Sequence, residues 1–141
     1  MTDIVSADRR SEMMRSIRAK DTGPEVAVRS IVHGLGFRFR LHRRDLPGRP
    51  DLVLSRLGTV IFVHGCFWHR HPGCQYAYTP KSRPSFWAQK FSANVRRDAE
   101  AQRTLELLSW KVIVVWECEL RAPAPLKARL RRELKRAERL Q

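Results

Sequence analysis

Long apolar stretches are absent from this chain. Its longest runs, TVIFV at 59–63 and VIVVW at 112–116, are strand-sized, far short of the ~20 residues that a membrane-crossing helix needs. The opening MTDIVSADRRSEMMRS holds no apolar block of signal-peptide length. A cytoplasmic protein without membrane contact is therefore expected. Cysteine is scarce: there are three, Cys66, Cys74 and Cys118. An odd count argues against a closed disulfide framework, and cytosolic thiols stay reduced. Acidic residues are few as well, with 14 Asp and Glu against 28 Lys and Arg, a formal net charge of +14. That imbalance points to a polyanion, nucleic acid above all, rather than to a merely solvated, solubilising surface. No internal repeat and no low-complexity tract is visible.

What is present reads as one domain over residues 1–141 with an ordinary apolar share of 43%. Residues 6–20 predict a first helix, with Ser6 as cap and Met13, Met14 and Ile17 at helical spacing among Arg9, Arg10, Arg15, Arg18 and Lys20. TGPE opens a second helix: Thr22 and Glu25 have capping-box spacing, and Pro24 is tolerated in the first turn. Val26, Val28, Ile31 and Val32 supply its apolar face, and Gly34 and Gly36 end it. FRFRL alternates as a half-buried strand does. DLVLS and TVIFVHG, joined by RLG, predict a hairpin whose nearly continuous apolar runs place both strands centrally in the sheet. Residues 72–85 predict an irregular loop, 85–108 a long helix and WKVIVVWECEL another buried strand. A basic C-terminal segment, 124–141, carries a last helix over 126–140 with Leu126, Leu130 and Leu134 on one face. The order α-α-β-β-β-α-β-α predicts an α/β fold, a mixed sheet with helices on both faces.

The stretch VHGCFWHRHPGC packs three histidines and two cysteines around Phe67 and Trp68. Cys66, His71 and Cys74, joined by Cys118 if its strand ends nearby, form a Cys₃His set suited to structural zinc. The alternative is ordinary small buried cysteines beside surface histidines. His64 and His69 then remain for chemistry, although His69 and His71 both have a claim on the zinc. Asp51 leads a buried strand, and a hairpin brings it to the end that bears His64. An oxygen ligand there, with a backbone carbonyl beside it, suits magnesium, and a histidine can take a proton from water. From the residues alone, a nuclease and a zinc-stapled DNA-binding module stand level.

The segments RSEMMRSI, DTGPE, LPGRPDLV, FVHGCFWH, FWAQK, NVRRD and WKVIVVWECEL together resemble the very-short-patch mismatch-repair (Vsr) endonucleases of bacteria. The likeness runs over roughly residues 10 to 120, in the family's order and spacing. It implies a restriction-endonuclease-like α/β core with a structural zinc site. It implies a magnesium-dependent nick in one strand of duplex DNA beside the thymine of a T·G mismatch, the product of 5-methylcytosine deamination. By the family pattern Asp51 and the backbone carbonyl of Val63 hold magnesium. His69 is the general base with Asp98 as its partner, His64 assists at the phosphate, and Glu25 holds metal-bound water. Cys66, His71, Cys74 and Cys118 are the implied zinc ligands. Phe67, Trp68 and Trp87 form the implied wedge in the base stack, with Met14 and Ile17 entering from the minor groove and Arg15 and Lys90 as further DNA contacts. A monomer in the bacterial cytoplasm, on the nucleoid, would suffice for one nick, and other mismatch-repair proteins are candidate partners. The chain departs from the family pattern at Val63, where Thr is frequent, at Ser109, and in the one-residue-longer spacing of HRHPGC.

Overall fold

A computed structural model describes residues 22–141. The first helix expected over 6–20, with Met14, Arg15 and Ile17, lies outside the described residues. Helix α1 spans Gly23–Gly34, and both arms of the capping box are made. Thr22 Oγ1 accepts from the Glu25 amide at 3.4 Å, and the Glu25 carboxylate accepts from the Thr22 amide at 3.3 Å. Val28 and Val32 are buried, but Val26, expected on the same face, is 45% exposed. Helix positions two apart are separated by about 200°, so Val26 cannot share a face with Val28.

The sheet forms because three apolar runs can pair with no exposed polar edge between them. Strand β1 (Leu52–Leu54) pairs antiparallel with β2 (Thr59–His64) through a 3-10 turn at Ser55–Leu57, closed by Gly58 in the left-handed region (φ 56°). Strand β3 (Lys111–Trp116) pairs parallel with β2, so the order is β1-β2-β3. Of the two hairpin strands, only β2 is central. β1 lies at the edge, bridged outward at the single pair Arg40–Val53. The strand expected at FRFRL is accordingly not a strand. Phe37 is buried and Phe39 and Leu41 pack on the core, as the alternation requires. His42 then takes φ 60°, which turns the backbone out of any continuing ladder.

Helices α2 (Pro84–Leu107) and α3 (Pro123–Arg139) complete the chain. Side chains alternate across the sheet. Leu52, Leu54, Ile61, Ile113 and Val115 meet Val28 and Val32 of α1 and Leu126, Leu130 and Leu134 of α3. Val53, Val60 and Phe62 meet Leu105 of α2 on the other face. The fold is mixed α/β with helices on both faces. Among the described residues no helix is long and apolar enough to cross a membrane.

This topology decides where the chemistry-bearing residues go. Asp51 precedes β1 and sits beside the end of β2. Because β3 runs parallel to β2, His64 and Trp116 are register partners. The 3-10 turn Glu117–Arg121, which carries Cys118, therefore lies against the loop that leaves β2.

Candidate functional site

A cavity of about 1030 Å³ opens where β2 ends. Asp51, Val63, His64, His69, Asp98 and Glu25 all line it. The Asp51 carboxylate accepts the Val63 amide at 2.6 Å, which locks it across the hairpin. Burial drives its pKa up to about 7; the Val63 amide opposes this and the nearby Glu25 carboxylate adds to it. A buried carboxylate that resists ionising next to a second acid is a site that gains from a cation. Glu25 reaches the cavity from the N-terminus of α1, where it also meets Arg29 at 3.4 Å.

His69 Nδ1 lies 2.7 Å from Asp98 Oδ2 of α2. With the carboxylate accepting the Nδ1–H, Nε2 keeps its lone pair. The His64 and His69 rings stack at 4.0 Å and 7°. His64 is 4% exposed, and burial, then the proximity of His69, lowers its pKa to about 4. It is thus a neutral ring at physiological pH.

The second cluster is separate. The ligand atoms of Cys66, His71, Cys74 and Cys118 all lie within 4.8 Å of one another. His71 Nδ1 is 3.7 Å from Cys66 Sγ and 3.4 Å from Cys118 Sγ. A tetrahedron with metal–ligand bonds of zinc length has edges of about 3.3–3.8 Å, a range that both His71–cysteine distances meet, and the soft Cys₃His donor set suits zinc. The structure brings His71 to the cysteines and His69 to Asp98. Cys66 is buried, 4% exposed. Burial pushes its thiol up to about 12, so binding a metal there must displace a firmly held proton.

Aromatic rings continue outward from this cluster. Phe67 lies 5.0 Å from Trp68, 5.6 Å from Trp87 and 5.2 Å from Phe91. Lys90 lies 6.0 Å from the Trp68 ring and lines the cavity. Four further residues hold the site. Arg70, at φ 54°, donates to the carbonyls of Phe67, Ala77 and Tyr78 at 2.8–3.2 Å, and its guanidinium lies 3.9 Å over Phe91. It staples the loop to itself and to α2. Asn94 donates to the Trp68 carbonyl at 3.2 Å, and Arg97 holds Asn94 in turn. Gly48 takes φ 72°, and a Cβ on it would stand 2.7 Å from Ala101. LPGRP carries a turn signal that identifies Gly48, but nothing in the sequence marks an arginine as a loop clamp.

The model of the family "DNA mismatch endonuclease Vsr" matches residues 2–75. The type II nicking enzyme V.XorIIP of Xanthomonas oryzae pv. oryzae is 51% identical over 131 residues, covering 93% of this chain and 96% of its own. V.NmeAIP of Neisseria meningitidis, also a type II nicking enzyme, is 46% identical over 94% of each chain. The DNA mismatch endonuclease Vsr of Escherichia coli is 43% identical over 86% of this chain and 77% of its own.

Proposed function

This chain belongs to the Vsr family of DNA mismatch endonucleases, and from that we propose that it nicks one strand of duplex DNA beside the thymine of a T·G mismatch, with magnesium as catalytic ion and zinc as structural ion. The observation that carries the reading is the cavity itself. It joins an oriented histidine–carboxylate pair to a buried, cation-seeking Asp51. A zinc-stapled DNA-binding module would need neither.

In this reading Asp51 and the Val63 carbonyl hold magnesium, with Glu25 beside them. Bound there, magnesium supplies Lewis-acid charge for the phosphate and the leaving oxygen. His69 takes the proton of the attacking water at Nε2, while Asp98 holds the tautomer and stabilises the imidazolium. His64, kept neutral by burial, donates one N–H towards the phosphate. Its stacking against His69 fixes the plane of the base. Phe67, Trp68 and Trp87 wedge into the stack, and Lys90 and Arg15 contact the backbone. Unstacking costs a few kcal/mol per step, less at a mismatch, which biases the wedge towards it. The Cys66, His71, Cys74 and Cys118 zinc site keeps that loop rigid. Residues 1–141 act as a single restriction-endonuclease-like domain, in which the segment 1–20 contacts the DNA through Met14 and Ile17. The protein works as a monomer in the bacterial cytoplasm.

The test is a labelled duplex with one T·G pair, compared with T·A, with and without magnesium. Nicking of the thymine strand of the T·G duplex, only with magnesium, is expected. Equal cutting of both duplexes withdraws the mismatch role; binding without cutting restores the DNA-binding module.

A further inference from the structure

Helix α3 has an outer face that the nicking reaction leaves unused. Lys127, Arg131, Lys135 and Arg139 recur every fourth residue, flanked by Arg132 and Arg136, and all six are exposed. At 100° per residue they cover about 180° of the helix surface and run about 18 Å along its axis. Leu126, Leu130, Leu134 and Ala137 occupy the opposite side and are 0–3% exposed. The seventh base, Arg129, is committed inward, to Glu119 at 2.6 Å, Glu133 at 3.1 Å and the Val114 carbonyl at 2.8 Å. Among the described residues no ion pair engages the other six. Glu138 is the one acid of the helix within their arc.

Solubility alone does not explain this pattern. The exposed side of α2 mixes signs, with Arg96, Arg97 and Arg103 against Glu100 and Glu106. On α3 the spacing instead sets like charges four residues apart at 127/131, 131/135, 132/136 and 135/139, an arrangement that destabilises a helix. A row of anions relieves that repulsion.

The place of this face in the fold separates it from the cavity. The cavity is walled by Phe62, His64, α2 and the first turn of α1, and no residue of α3 lines it; α3 packs on the other face of the sheet, against the buried side of α1. It leads away from the 3-10 turn of Cys118 to the far end of the sheet, where Gln141 donates to the Leu57 carbonyl at 3.1 Å.

We propose that the outer face of α3 binds the phosphate backbone of a second DNA segment, so that one molecule holds one duplex in its cleft and another on α3. Such a protein passes between neighbouring segments without first dissociating. The inference goes beyond the nicking reaction and needs only that the cleft binds DNA.

The test is a capture assay without magnesium. A T·G duplex is fixed to beads, protein is added, and a second, labelled duplex without mismatch is offered. Wild-type protein captures the second duplex at low salt. The quadruple variant Arg131→Gln, Arg132→Gln, Lys135→Gln and Arg136→Gln, all exposed and all to a good helix former, captures at least roughly tenfold less. The slope of log binding against log salt for the second duplex falls by about 3 to 4, close to one counterion for each phosphate that the variant no longer neutralises. Nicking of a short T·G duplex stays as in wild type, and the thermal midpoint is equal or slightly higher because the like-charge repulsion along α3 is relieved. Each of these results overturns the proposal: no capture by wild type, equal capture by the variant, or loss of short-duplex nicking in the same proportion, which would merge the face with the cleft. Preference of this face for vesicles of anionic phospholipid over duplex would also overturn it. The outcome of the T·G against T·A comparison does not affect the capture readout.

Discussion

Asp51 leads a fully buried strand, and that placement sets its chemistry. Without a cation its folded pKa is raised to about 7, mainly by burial. The native state then holds a proton that the unfolded chain releases between about pH 4 and 7, so its contribution to stability falls as pH rises through that window. Asp51→Asn removes the titration and keeps an acceptor for the Val63 amide. The variant is expected to melt higher than metal-free wild type at pH 8, by about 1–3 kcal/mol, and to lose that advantage near pH 4. It is expected to bind DNA and not to nick it. Calorimetry at the two pH values and a nicking assay check both. Retained nicking would remove Asp51 from the site. In wild type, magnesium affinity should rise as pH passes 7, because the ion competes with the proton. The residue types of this cavity were legible in the sequence; the pairing of His69 with Asp98, 29 residues apart, came only from the family resemblance.

At the scale of elements, the loop 66–79 is held by two devices of different origin. One is the Cys66, His71, Cys74 and Cys118 cluster, which acts once a metal is bound, as proposed, and whose last member arrives because β3 runs parallel to β2. The other is Arg70, which gathers three carbonyls of the loop and rests on Phe91. Structural zinc contributes roughly 10–16 kcal/mol of apparent binding free energy in small peptides, comparable to a whole domain's stability. Cys118→Ala is therefore expected to lower zinc content and thermal midpoint together, and to speed amide exchange in 66–79 before the sheet. Full zinc content in that variant would show that Cys118 is no ligand. The cysteine and histidine spacing made this cluster visible in the sequence. The loop clamp was not visible, because an arginine that folds back onto carbonyls looks the same in sequence as one that meets solvent or phosphate.

At the scale of the molecule, the two cores divide support from chemistry. Leu130 is fully buried on the face shared by α1 and α3, away from the cavity wall of Phe62 and α2. Leu130→Ala should cost about 2–5 kcal/mol through reduced burial and the cavity left behind. A lower denaturation midpoint, with nicking per folded molecule unchanged in the cold, is the expected outcome. A matching fall in nicking would mean that the two layers are coupled.

The sequence by itself determined the class of partner, through net charge, and the α/β architecture, through strand-length apolar runs between amphipathic helices. It also determined the capping box of α1 and the donor chemistry of the candidate metal cluster. These are local or compositional properties, carried by residues close together in the chain or by sums over it. Tertiary structure decided the rest. It placed β1 at the edge, reduced FRFRL to one bridge, brought His71 rather than His69 to the cysteines, and kept the basic half of α3 out of the cavity wall. Each of these depends on which strand lies beside which and in what direction, and packing between distant segments settles that.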